Sequence, residues 1–282
     1  MSLLPYIFIL DIDHTIIGDV LSIHNEYELL NIISYKLNKS IDIVDELNDG
    51  LLRPYFKDFI QFIKTKYDNI ELFVYTGGSH RWVNNAIIPN IEKAINTNIN
   101  KPYFTRENMN NDEYDKILGN IYDVIIDNLK SKYPLLNQDK YIKYVFNNQL
   151  IFIDDIKNNL KDYPEKQILC PKYKYIDYYD VIKKIKIKYD IKDEVFNNTI
   201  LLSYCNDNEI PIYNENGSLL QKNKKYQMLL NKYYKKKYSL FNNEYIKDTF
   251  FKTLIFIMKS FKSLNNKKIE LINKKLLEKY SN

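Results

Sequence analysis

Glycine, proline and cysteine are scarce in this chain. With 6 Gly and 8 Pro among 282 residues, it can be neither collagen-like nor a flexible linker array, and it has too few turn formers for a many-stranded barrel. The two cysteines, Cys170 and Cys205, form no C-x-x-C pair, which speaks against a zinc site or a disulfide framework and for a reducing compartment. Of the 3 histidines, His14 and His80 show no cysteine or carboxylate partner that would make a metal site. No apolar run approaches the roughly 20 residues that cross a bilayer. The opening LLPYIFIL runs into Asp11-Ile12-Asp13 with no basic leader and no small-residue cleavage site, so it reads as a buried strand rather than a signal core. The chain is expected to be soluble.

What is abundant is apolar and aromatic surface. Hydrophobic residues make up 45%, with 26 Tyr and 14 Phe, enough to bury a core that offsets chain entropy and to exclude wholesale disorder. The net charge of +5 hides a division. Residues 1–180 hold 20 Lys+Arg against 26 Asp+Glu, net −6, whereas 181–282 hold 21 against 10, net +11. A basic last third beside an acidic first part fits either a unit that meets an acidic partner or a Lys-rich solvated helical surface.

Strand and helix patterns alternate in the first part. Tyr6 to Leu10, Ile70 to Val74, Gln149 to Ile153 and Gln167 to Leu169 are short apolar runs of the kind buried on both sheet faces. Phe56, Phe59, Ile60, Ile63 and Tyr67 recur at helical spacing behind Pro54, and Tyr114, Ile117, Leu118, Ile121, Ile125 and Leu129 do the same. This order predicts an α/β domain with a mainly parallel sheet, whose ligands bind beyond the carboxyl ends of the strands. After about Asp180 the strand signal fades, and Lys224–Lys237, Asn243–Phe261 and Lys267–Tyr280 are expected to be helices. The expected division is a catalytic domain over 1–182 and a basic, mainly helical accessory region over 183–282.

Acidic and hydroxyl residues stand where the strands end. The first strand leads into Asp11-Ile12-Asp13-His14-Thr15, two carboxylates two residues apart, suited to a nucleophile beside a general acid. Taken alone this pattern also fits a turn or helix cap. The second strand leads into Thr76-Gly77-Gly78-Ser79, a hydroxyl and flexible backbone amides able to receive phosphate oxygens. The later strand ends in Asp154-Asp155, able to hold a hard cation through oxygen. Lys140, with Lys143 one helical turn on, lies between the last two motifs.

These pieces, in this order, resemble the haloacid dehalogenase (HAD) superfamily of phosphohydrolases over roughly residues 5–180. DIDHTII, RPYFKDFI, VYTGGSHRW, FTREN and the final IDD are most similar to the NLI-interacting-factor branch, which dephosphorylates the carboxy-terminal domain of RNA polymerase II. The resemblance implies a HAD-like Rossmannoid fold and a phosphatase in which Asp11 forms an aspartyl phosphate and Asp13 acts as acid and base. It implies Mg²⁺ held by Asp11, Asp13 and Asp154, with Asp155 binding metal waters or orienting the site. Thr76, Gly77 and a lysine would hold the transferring oxygens, and Thr15 would tie down the loop. Lys140 is the choice for that lysine by its distance from Asp154, with Lys143 as the alternative.

The stretch from Asp13 to Leu51 is too short for the large cap that closes over small metabolites, so the expected substrate is a phosphoserine or phosphothreonine protein. A nucleotide or nucleic-acid end phosphatase and a non-catalytic binding protein of the same fold are the alternatives. The basic last third is expected to contact acidic protein or nucleic acid, with no membrane partner and an intracellular location, cytoplasmic or nuclear.

Overall fold

The computed structural model describes residues 4–18, 29, 31–33, 43–109, 115–175, 189–192, 195, 199–207 and 248–280. Four apolar segments form its sheet: β1 (Tyr6–Leu10), β2 (Ile70–Val74), β3 (Leu150–Asp154) and β4 (Gln167–Leu169). The order is β2-β1-β3-β4, and every pair is parallel, with Tyr6 opposite Ile70, Ile7 opposite Leu150 and Phe152 opposite Gln167. β1 is central, so the residues that follow it emerge in the middle of the carboxyl edge.

The α-helices of 8 residues or more among the described residues are α1 (Phe56–Lys66), α2 (Ile88–Ile95), α3 (Gly119–Lys130), α4 (Asp139–Asn148), α5 (Thr199–Asp207), α6 (Phe250–Met258) and α7 (Asn266–Tyr280). Side chains alternate across the pleat, so β1, β2 and β3 each feed two cores. Phe8, Leu10, Leu72, Val74, Ile151, Ile153 and Ile168 meet α1, α2, α6 and α7 on one face. Ile7, Ile9, Phe73, Tyr75, Leu150 and Phe152 meet α3 and α4 on the other. Coverage of both faces explains why these strands read as continuous apolar runs rather than alternating ones. The architecture is α/β, a HAD-like parallel sheet flanked by helices.

The boundary expected after residue 182 does not separate residues 248–280 from the rest. α6 and α7 lie on the same sheet face as α1 and share its core, with Phe251 ring centroids 5.0 Å from Phe56 and 5.1 Å from Phe59. Polar contacts reinforce this packing: Asp248 pairs with Arg53 at 2.9 Å, Lys166 Nζ donates to Asn266 Oδ1 at 2.7 Å, and Asn273 bonds to the backbone of β4. Within the expected Asn243–Phe261 helix, Phe250–Met258 is a helix whose Leu254, Ile257 and Met258 are core, while residues 243–247 lie outside the described residues. The expected helix at 224–237 lies outside the described residues. Among the described residues, no helix is long and apolar enough to cross a membrane.

Candidate active site

The site is built where β1, β2 and β3 end. Asp11 follows β1 directly, and its amide donates to Ile153 O at 3.0 Å, tying it to the end of β3. The chain then turns tightly: the amides of Thr15, Ile16 and Ile17 all point to Ile12 O, and His14 takes a left-handed conformation at φ 57. This turn returns Thr15 to the carboxylates. Its Oγ1 lies 3.2 Å from Asp11 Oδ2 and 3.3 Å from Asp155 Oδ1, and it accepts from the Asp155 amide at 3.1 Å. One hydroxyl hydrogen therefore serves two carboxylates, and Thr15 joins the first motif to the last.

Arg53 locks the turn from behind. Its backbone amide donates to Ile16 O at 2.9 Å and its guanidinium to Thr15 O at 3.1 Å. At the end of β2, Thr76 Oγ1 donates to Asp13 Oδ2 at 3.3 Å and accepts from the Gly78 amide at 3.3 Å. The neighbouring Gly77 is held by Arg106, whose Nε donates to Gly77 O at 3.0 Å.

Lys116 is the cation at the centre. Its Nζ lies 2.5 Å from Asp11 Oδ1 and 2.7 Å from Asp154 Oδ2. Asp154 is further held by Asn159 Nδ2 at 2.8 Å and by the Ile156 amide at 2.7 Å. All three charges are buried, so burial on its own would lower the Lys116 pKa, but the two carboxylates more than offset it and hold the ammonium protonated well above its usual range. Asp11 is raised too: burial lifts it well above an ordinary carboxylate, with Asp154 and Asp13 adding to the rise, and Lys116 offsets only part. Burial and Asp154 also raise Asp155, with His14 opposing. Cys170, 3.7 Å from Thr15 Oγ1, is pushed to about 12 by burial and stays a neutral thiol.

Of the residues singled out in the sequence, the fold brings Asp11, Asp13, Thr15, Thr76, Gly77, Asp154 and Asp155 to one edge. Lys140 is not among them. It lies on the exposed face of α4, its Nζ 4.8 Å above the Tyr141 ring, and Lys143 is exposed on the same helix. Lys116 takes the place expected of Lys140. Choosing by distance from the third strand failed because α3 and α4 both lie between Lys116 and β3. The helical pattern drawn from Tyr114 also concealed it. α3 begins only at Gly119, where the Leu118 and Gly119 amides are both capped by Asp162 at 2.9 Å, while Lys116 pairs with Leu160 in an isolated parallel bridge. Sequence neighbours gave no signal: Lys116 is followed by Ile117 and Leu118, but Lys140 is followed by Tyr141 and Ile142 and Lys143 by Tyr144 and Val145.

The carboxylates of Asp11, Asp154 and Asp155 offer oxygen atoms within 4.8 Å of one another, a donor set suited to a hard divalent cation. Carboxylates, an ammonium and a hydroxyl thus converge on strand ends, groups of the kind that phosphoryl transfer uses. No curated protein and no solved structure matches the chain. The family model described as NLI interacting factor-like phosphatase matches residues 6–183, a stretch that takes in every site residue named above. With more than half of its length accounted for in this way, the chain belongs to the NLI interacting factor-like phosphatases and is a HAD-type phosphatase.

Proposed function

We propose that the chain is a Mg²⁺-dependent phosphomonoester hydrolase that works through an aspartyl phosphate on Asp11 and acts on phosphoserine or phosphothreonine in proteins. The observation that carries the mechanism is the Lys116 ammonium clasped between Asp11 at 2.5 Å and Asp154 at 2.7 Å, beside the Thr76–Asp13 hydrogen bond.

An oxygen of Asp11 forms the new bond to phosphorus as the ester P–O bond breaks. Asp13, oriented by Thr76, delivers a proton to the departing oxygen and then takes one from the water that hydrolyses the aspartyl phosphate, which returns Asp11 as a carboxylate and releases phosphate. Lys116, the Thr76 hydroxyl and the Gly77 amide stabilise the transferring oxygens, since this chemistry depends mainly on position and charge. Asp11, Asp154, Asp155 and the Asp13 carbonyl would hold Mg²⁺, which when bound offsets the repulsion between Asp11 and the phosphate dianion. Thr15 and Asn159 fix the carboxylates against rotation.

The resemblance to polymerase-tail phosphatases and the short segment after Asp13 favour a protein substrate, because a site without a large cap draws selectivity from the chain around the phosphate. The test is phosphate release with Mg²⁺ from p-nitrophenyl phosphate, free phosphoserine, a phosphoserine peptide, a nucleoside monophosphate and a 3′-phosphorylated oligonucleotide. The peptide is expected to show the highest kcat/KM. A clear preference for the oligonucleotide would move the substrate assignment to nucleic-acid ends, for which residues 181–282 at net +11 supply contacts. No turnover of any of the five would leave a non-catalytic binding protein.

A further inference from the structure

The stretch matched by the phosphatase family ends at residue 183, yet a residue far beyond it reaches the active-site turn. Asp248 stands just before α6, and its two carboxylate oxygens accept from Arg53 Nε at 3.0 Å and Arg53 Nη2 at 2.9 Å. The remaining Nη1 of Arg53 donates to Thr15 O at 3.1 Å. The Arg53 side chain is 0% exposed and its Cζ lies 4.6 Å from the Phe250 ring centroid, with Tyr173 and Phe251 at 5.4 and 5.8 Å. A guanidinium so enclosed has a single orientation, set by the bidentate carboxylate on one side and by stacked rings on the others.

The orientation matters because of what it holds. Thr15 is the residue whose hydroxyl spans Asp11 and Asp155, at 3.2 and 3.3 Å. Its carbonyl is pinned by Arg53, so the position of that hydroxyl follows the position of the guanidinium. We propose that Asp248 is a positioning residue of the active site: through Arg53 it holds the Thr15 carbonyl, and so the hydroxyl that bridges Asp11 and Asp155. The helical pair α6–α7 then completes the catalytic centre rather than only covering its sheet.

The proposal rests on the phosphatase reading for its kinetic arm and on geometry for its structural arm. In the full chain, D248N keeps the shape of the side chain but gives up the charge and one of the two acceptors. Turnover of p-nitrophenyl phosphate should fall in kcat by about 10- to 100-fold, with KM within about twofold, the pattern of a misplaced reacting group rather than lost binding. L276A, which weakens the same helical pair away from Arg53, should lower the melting temperature and leave kcat unchanged at a temperature where it is folded. R53K, which keeps a cation for Asp248 but cannot also reach Thr15 O, should lose kcat as D248N does. A crystal structure of D248N should show Thr15 Oγ1 out of hydrogen-bond reach of Asp11 or Asp155. Wild-type kcat in D248N would overturn the proposal. If D248N does not fold, wild-type kcat in R53K would do so. An unmoved Thr15 in the D248N structure would also refute it. A wild-type chain inactive on every phosphomonoester, with Thr15 displaced in D248N, would instead remove the catalytic reading and leave the positioning intact.

Discussion

Replacing Lys116 by Met leaves the shape of the site almost unchanged and removes the ammonium that contacts Asp11 and Asp154. The side chains of Lys116, Asp11 and Asp154 are 3%, 7% and 0% exposed. At these separations each pair attracts by roughly 6 kcal/mol in a medium of effective dielectric about 20. Desolvation of the three charges cancels much of this, and removing one partner of a buried pair leaves a net cost of about 3–5 kcal/mol. For a chain of this size that corresponds to a melting temperature lower by about 6–20 °C. Two features separate this cause from a simple packing defect. The deficit should shrink as pH falls, because Asp11 already has a raised pKa and the unpaired carboxylates become neutral once pH drops below their folded-state values. It should also shrink when Mg²⁺ is added, since a cation at about 100 times its Kd returns about 2.7 kcal/mol. Circular dichroism melts in EDTA and in Mg²⁺, at neutral and mildly acid pH, read both effects, and p-nitrophenyl phosphate turnover should be lost. K140M, on the exposed face of α4, should stay within about 0.5 kcal/mol of wild type and keep its activity. A K116M chain with wild-type stability and turnover would refute the placement of this lysine at the centre of the site.

D11N should abolish turnover, because an amide cannot form the aspartyl phosphate. In metal-free buffer at neutral pH it should also melt higher than wild type. The raised Asp11 pKa means that stability is lost as pH climbs from its unfolded to its folded value, and the amide escapes that loss; a lower melting temperature would show that the attraction of Lys116 outweighs burial. EDTA should stop phosphate release and Mg²⁺ restore it, with Ca²⁺ a poor substitute because its longer, looser coordination misplaces the phosphate; full activity in metal-free buffer would reject the cation role. Truncation after residue 247 uncovers the faces of Phe56 and Phe59 that Phe251 packs against, so size-exclusion chromatography should show aggregation. A monomeric, active truncated chain would contradict the shared core.

Much of the fold could be read in the sequence because its strands are buried on both faces. Tyr6 to Leu10 has no polar interruption and Ile70 to Val74 only the buried Glu71, and strands of that kind are recognised by composition alone. The acidic residues were legible for a related reason: Asp11, Asp13, Asp154 and Asp155 follow apolar runs at once, and no core-building role explains them. The lysine was not legible because its partners come from β1 and β3, 105 and 38 positions away in sequence. Local periodicity instead assigned Ile117 and Leu118 to a helix that starts only where Asp162 caps it. The apolar run from Leu254 to Met258 marks a core helix, but the charge of residues 248–280 hid which core it joins. Lys252 and Lys259 mark the solvent side of α6, while Phe250, Phe251, Leu254 and Met258 are buried, so net charge described the outside of the helix and said nothing about what its inside covers. Asp248 gave no signal at all, since its importance comes from one arginine at the far end of a tertiary contact.

Asn273 has a consequence for how the molecule meets others of its kind. From α7 its side-chain amide accepts a hydrogen bond from Leu169 N at 2.9 Å and donates one to Gln167 O at 2.7 Å. Those are two of the backbone groups on the side of β4 away from β3 that a further strand would use. The carboxamide therefore imitates the N–H and C=O of one residue of a neighbouring parallel strand, and being a single group on a helix it offers nothing for a further strand to continue. The outer margin of β4 is closed by a strand mimic that cannot propagate, which denies other chains the template that an open sheet edge supplies. A chain lacking this amide would regain that template, and self-association through added strands would compete with folding.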